Sequence, residues 1–171
     1  MNGSIYEREL AGILSGSPKV LEKLAKKVDA PSKAAVETLL ERPFYVTRAA
    51  GSLGADIIAI RHDYSMVIEV KSSINSTITF TEASGMRQEQ AERLQEKCLK
   101  SGLFIIYAFR LKNAPGDPWR MFSLPGDPKG RMRFLYNILS DIGLSRNGNY
   151  VLKWGDGTPL SKLVDYLNQT I

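Results

Sequence analysis

The sequence predicts an α/β domain with a central sheet and helices packed against it. Three observations carry that expectation. The runs DIIAI (residues 56–60) and MVIEV (66–70) are β-branched and apolar, and the polar RHDYS between them suits a hairpin connection. The apolar run 103–109 has the length and composition of a buried strand. Stretches with apolar residues at helical spacing, such as Tyr6, Leu10, Ile13 and Leu14, surround these strands. With 171 residues, the chain has the length of one domain, 1–171, with room for a core plus an appendage.

In chain order, residues 4–14 are expected as a helix. Ser4 is a good N-cap, and Glu7 three positions on completes a capping box. Residues 18–28 and 31–41 follow as two helices, each with proline in its first turn. A short strand is expected at 44–48, then a glycine-bearing loop at 51–54, then the hairpin. Residues 77–80 are β-prone, and 86–100 form a charged helix stopped by Gly102. After the strand 103–109 comes a loop at 113–118. A strand at 119–123, a helix at 130–142 and a strand at 150–154 follow. The last helix starts after residue 158, with Pro159 in its first turn. No repeat or low-complexity segment interrupts this order.

Composition excludes several function classes. A single histidine, His62, lies in the expected turn, which argues against a zinc finger, a His-rich metal site and a His-dependent nuclease. No phosphate-binding G-x-x-x-x-G-K-[ST] is present. Cys98 is the only cysteine, so no internal disulfide forms; its spacing with Ala91 and Leu94 makes it a small buried hydrophobe. No apolar run approaches the ~20 residues of a membrane span. The polar Tyr6-Glu7-Arg8-Glu9 stands where a signal peptide needs apolar residues. A cytoplasmic, reducing location is therefore expected. The net charge of +5 and pI near 9.3 suit a polyanionic partner.

Strand alternation puts Val67, Glu69 and Lys71 on one face and Met66, Ile68 and Val70 on the other. Asp56 opens the neighbouring strand. Two acids and a lysine meeting at strand ends can hold a divalent cation and activate a water beside it. Each residue also has a plainer reading. Acid-x-lysine is a common solvated strand face, Asp56 can cap a turn, and Glu7 can serve the capping box alone. Glu9 flanks the apolar stripe opposite Glu7, and spacing does not choose between them.

Four motifs in order resemble the archaeal Holliday junction resolvases of the PD-(D/E)XK nuclease superfamily. Residues 3–10, GSIYEREL, resemble the family opening G-S-x-x-E-R-x-L. Residues 48–59, RAAGSLGADIIA, are similar to R-x-x-G-S-x-G-x-D-I-I-A. Residues 68–72, IEVKS, are similar to I-E-x-K-S, and 89–94, EQAERL, to the family's glutamine-bearing helix. Asn2 stands where the family has a basic residue, residues 15–43 form a helical insertion, and 113–171 a C-terminal extension.

The resemblance implies a restriction-endonuclease-like central mixed β-sheet flanked by helices. It implies Mg²⁺, or Mn²⁺, held by Asp56, Glu69, the Val70 carbonyl and Glu7, directly or through water. Lys71 orients or helps deprotonate the attacking water, and Ser52 acts near the scissile phosphate. Arg8, Arg48, Phe80 and Gln90 are the candidate substrate contacts. The implied activity is structure-selective cutting of four-way DNA junctions by paired nicks, leaving 5′-phosphate and 3′-hydroxyl ends. It is expected of a homodimer beside the nucleoid, with no membrane and no small-molecule cofactor. The alternatives are another endonuclease of the superfamily, restriction- or repair-type, and a non-catalytic DNA-binding subunit.

The insertion has two readings. Val20, Leu21, Leu24 and Val28 form an apolar stripe that packs on the chain's own core, leaving Lys19, Lys23, Lys26, Lys27 and Lys33 as a solvated face. Alternatively, these lysines widen a DNA-binding surface.

Overall fold

The computed structural model describes residues 2–49, 55–81 and 88–169. Three helices open the chain: α1 (Asn2–Leu14), α2 (Pro18–Ala25) and α3 (Ala30–Glu37), the last running into a 3₁₀ turn at Thr38–Leu40. Strands β1 (Tyr45–Arg48), β2 (Ile57–Ile60), β3 (Ser65–Ser73) and β4 (Thr77–Thr79) come next. Then follow α4 (Gln88–Lys100), β5 (Ile105–Leu111), β6 (Trp119–Ser123) and α5 (Arg131–Ile138). The chain closes with β7 (Ser140–Asp141), β8 (Gly143–Leu144), β9 (Tyr150–Lys153), β10 (Thr158–Pro159) and α6 (Leu160–Gln169).

The main sheet has the order β1-β2-β3-β5-β6-β10, with β7 also on β6. β2 and β3 form the expected antiparallel hairpin, Ile57 opposite Ile68 and Ile60 opposite Ser65. β3 and β5 run parallel, because α4 carries the chain across between them. The other neighbours are antiparallel except β6 and β7, so the sheet is mixed. A small antiparallel sheet, β4-β9-β8, lies apart.

Alternation along each strand divides the core. Met66, Ile68 and Val70 of β3, with Ile106 and Ala108 of β5, face α1, α2, α3, α5 and α6. Tyr107, Phe109 and Phe122 face α4 and the small sheet through Ala91, Cys98, Phe80 and Leu152. Val67, Glu69 and Lys71 lie on this second face and stay partly exposed. Two glycines with positive φ stop helices: Gly16 (76°) after α1 and Gly102 (72°) after α4. Burial pushes the Cys98 thiol up to about 11, as expected for a packed small side chain.

Four expectations need correction. Helix α1 already begins at Asn2, so Ser4 lies inside it rather than at an N-cap. α2 and α3 are shorter than the expected 18–28 and 31–41. The expected helix 130–142 stops at Ile138, because tertiary pairing wins over helical pattern. Ser140 and Asp141 pair with Phe122 and Ser123, and the Ser140 N–H donates to Thr158 Oγ1 at 3.0 Å. Pro159 belongs to β10, and α6 starts one residue later.

The insertion's stripe packs inward. Leu21 and Leu24 are 2% and 5% exposed, and Val20 and Val28 pack against the same core. Its five lysines point to solvent. At the other end of the chain, Arg61 ties α6 to the hairpin turn. It makes paired hydrogen bonds to Asp63 at 2.7 and 3.0 Å, donates to Asn168 Oδ1 at 2.8 Å, and stacks on Phe44.

Candidate active site

The hairpin register carries the site. One step beyond the Ile57–Ile68 rung, Asp56 stands opposite Glu69. β2 starts after Asp56, so the Val70 N–H has no strand partner there. It donates instead to Asp56 Oδ2 at 2.7 Å. A strand residue's N–H and C=O point to the same edge, so the Val70 carbonyl faces the same gap. Alternation brings Lys71 to the face that Glu69 occupies.

The carboxyl groups of Asp56 and Glu69 act directly on each other's protonation. Burial and the neighbouring Asp56 push Glu69 up to about 8. Burial and the charge of Glu7 raise Asp56, against the lowering effects of the Val70 N–H and Lys71. Two half-buried carboxyls that repel each other do not both ionise readily, so Glu69 retains its proton near neutral pH. A divalent cation between them would replace that proton. All the donors on offer are hard oxygens, and Mg²⁺ commonly takes only one or two protein carboxylates beside substrate phosphate and water. The residues therefore fit a hard divalent cation.

The remaining candidates separate by position. Glu7 is held by Arg48 at 3.2 Å. It acts on both acids electrostatically but does not join them: among the described residues no three Asp, Glu, His or Cys side chains gather to hold a metal. Glu9 has another task. Its Oε1 accepts from Arg110 Nε at 3.0 Å and from Trp119 Nε1 at 2.9 Å, and Arg110 also stacks on Tyr6. Arg8 and Gln90 are exposed on α1 and α4. Phe80 is only 3% exposed, wedged edge-on against Tyr107 and Tyr150. Ser52 and its loop lie outside the described residues.

Sequence reasoning missed two residues. Gln95, not Gln90, is the buried glutamine of α4. It accepts from the Ile105 N–H at 3.1 Å and donates to the carbonyls of Leu124 and Pro125. Tyr107 stands in register beside Glu69 on the same face. No alternation marked it, because the run 103–109 is apolar on both faces.

A mixed sheet flanked by helices, with an acid pair and a lysine at the ends of its central hairpin, defines a restriction-endonuclease-like nuclease. The model of the archaeal Holliday junction resolvase family (Hjc) matches residues 29–171, and the chain belongs to that family. The match takes in 113–171 and leaves out 1–28, the segment with Glu7 and Arg8. Among solved structures, the chain is similar to Archaeoglobus fulgidus Hjc, a Holliday junction resolvase from an archaeal hyperthermophile. The identity is 18%, 96% of each chain is covered, and the TM-score is 0.52, a likeness of fold. No curated protein matches. Family membership makes this chain an endonuclease acting on Holliday junctions, and nucleases of this type generally use a divalent metal. Among the described residues no helix is long and apolar enough to cross a membrane.

Proposed function

We propose that the chain is a Mg²⁺-dependent, structure-selective endonuclease that resolves four-way junctions by paired nicks as a homodimer. The observation that carries this is the Asp56–Glu69 carboxyl pair, with Lys71 on the same strand face. Asp56, Glu69 and the Val70 carbonyl would hold the cation, which supplies Lewis-acid stabilisation of the charge developing on the phosphoryl oxygens. Glu7, tethered by Arg48, adds negative potential at the site's edge. The Lys71 ammonium orients the attacking water and offsets phosphate charge. The water oxygen bonds to phosphorus as the bond to the 3′-oxygen breaks, leaving 5′-phosphate and 3′-hydroxyl ends. Arg8 and Arg48 contact phosphates on the approach to the site, and Ser52 acts near the scissile phosphate. Recognition is by junction shape and backbone, since phosphate contacts carry no sequence information. Work on DNA puts the protein in the cytoplasm beside the nucleoid, and Mn²⁺ is expected to substitute for Mg²⁺.

The test is cleavage of a four-way junction beside a duplex of the same sequence, with and without Mg²⁺. The wild type should cut the junction selectively and only with the cation. Asp56→Asn and Glu69→Gln should each abolish cutting while junction binding persists, because the phosphate contacts lie elsewhere. Near wild-type cutting by either variant would remove the pair from the chemistry.

A further inference from the structure

Glu69 has a neighbour on each side across the sheet. Asp56 stands on the β2 side. On the β5 side, the parallel register sets Tyr107 beside it, and Phe122 follows on β6. Adjacent strands lie about 4.8 Å apart, and paired residues project from the same face. The Tyr107 ring therefore runs alongside the Glu69 side chain. Phe80 fixes the ring edge-on, with centroids 5.2 Å apart. The electrostatic neighbours of the phenol oxygen include Glu69 and Asp56.

A purely structural role would be served equally by phenylalanine. Yet the residues on either side of Tyr107 on this face, Ile105 and Phe109, are apolar, and this position alone in the row carries a hydroxyl. That hydroxyl has no hydrogen-bond partner among the described residues. Nor is any fully buried side-chain oxygen left unpartnered among them. A phenol that is 3% exposed and unpartnered thus keeps some accessible surface at its oxygen, on the sheet face that also carries Glu69. A phenol hydroxyl can donate a hydrogen bond.

We propose that Tyr107 is a positioning residue of the active site: its hydroxyl donates to the Glu69 carboxylate and fixes the rotamer that presents it, with Asp56, to a divalent cation. Glu69 is half-buried, and a half-buried carboxylate gains from a hydrogen bond. Partners that orient a metal-binding carboxylate typically matter by about 10- to 100-fold in metal affinity. The inference rests on the Asp56–Glu69 reading above.

The experiment is a Mn²⁺ titration of the DNA-free protein followed by the EPR signal of free Mn²⁺, for wild type, Tyr107→Phe and Asp56→Asn. Phenylalanine keeps the ring packing, so the melting temperature should hardly move. Tyr107→Phe should weaken Mn²⁺ binding about tenfold. It should also shift the Mg²⁺ concentration for half-maximal junction cleavage upward by a similar factor, with most of the rate recovered at saturating cation. Wild-type Mn²⁺ affinity in Tyr107→Phe, with binding lost in Asp56→Asn, overturns the role of Tyr107 and leaves the site standing. Wild-type affinity in Asp56→Asn overturns the site and this proposal together. A readout in the otherwise unaltered chain guards against a misfolded variant. In 3-fluorotyrosine-labelled protein, the ¹⁹F resonance of Tyr107 should move when Mg²⁺ is added, and a stationary resonance overturns the proposal.

Discussion

Glu7 and Glu9 stand two positions apart on one helix and have separable roles. Glu9 neutralises Arg110, a guanidinium 8% exposed, and receives the Trp119 indole N–H. Removing it leaves a buried charge and a buried donor without partners. Glu9→Leu should therefore lose about 3 kcal/mol in urea unfolding. Glu7→Gln, whose partner Arg48 is exposed, should change stability by less than about 1 kcal/mol and lower the cleavage rate. Equal destabilisation by both variants would contradict this division. The acid pair gives a pH prediction of definite sign. Glu69 at about 8 and the raised Asp56 bind protons in the folded state that the unfolded chain has already released. With respect to this pair, the cation-free protein is most stable below the unfolded carboxyl range, about pH 4, and loses stability as pH rises toward 8. On the proposed function Mg²⁺ would bind the ionised pair, so the melting-temperature gain it produces should grow between about pH 5 and 9. A gain independent of pH would show that the cation binds elsewhere. Alternation made Glu69 and Lys71 legible, because one polar face interrupts an apolar strand. Tyr107 was illegible because its strand is apolar on both faces, so only the register with β3 picks it out.

At the scale of elements, local pattern located helices and strands well and their ends poorly. The β2–β3 hairpin and β6 were readable from β-branched and aromatic runs bounded by turn residues. The strand pair at 140–144 was not, since its pairing with Phe122, Ser123, Val151 and Tyr150 is long-range. On α4, a glutamine motif pointed to Gln90, whereas the buried residue is Gln95, one turn and a half further along. The α2–α3 insertion illustrates how a charged helix can be bland. Leu21 and Leu24 commit one face to the core, and the lysines occupy the other, Lys26 beside Glu22 at 3.7 Å. Exposed lysines on a solvated face contribute general charge. Lys19→Gln, Lys23→Gln and Lys26→Gln combined should leave junction affinity within about twofold and the salt slope nearly unchanged. A slope reduced by two or more contacts would make α2 part of the DNA surface.

At the scale of the whole molecule, symmetry links the substrate to the assembly. A four-way junction has near two-fold symmetry, and resolving it takes nicks in two opposing strands. The chain has one Asp56–Glu69 pair and one Lys71, so on the proposed function each copy would supply one cutting centre. A monomer would have to dissociate after the first nick and rebind in the opposite orientation, with the nicked junction free to relax in between. A C2 dimer presents two identical centres at a fixed separation, and its isologous interface matches the symmetry of the substrate. The net charge of +5 per chain would double over such a dimer and draw it to the crowded phosphates of the crossover, more strongly at low salt. Sedimentation at micromolar protein should therefore give the mass of two 19.0 kDa chains in the absence of DNA, and two chains per junction in its presence. Mixing wild type with excess Asp56→Asn should form mixed dimers that nick one strand and stall before the second. A clean monomer mass with and without junction would refute the dimer, and paired nicks persisting undiminished in the mixture would show that one centre makes both cuts.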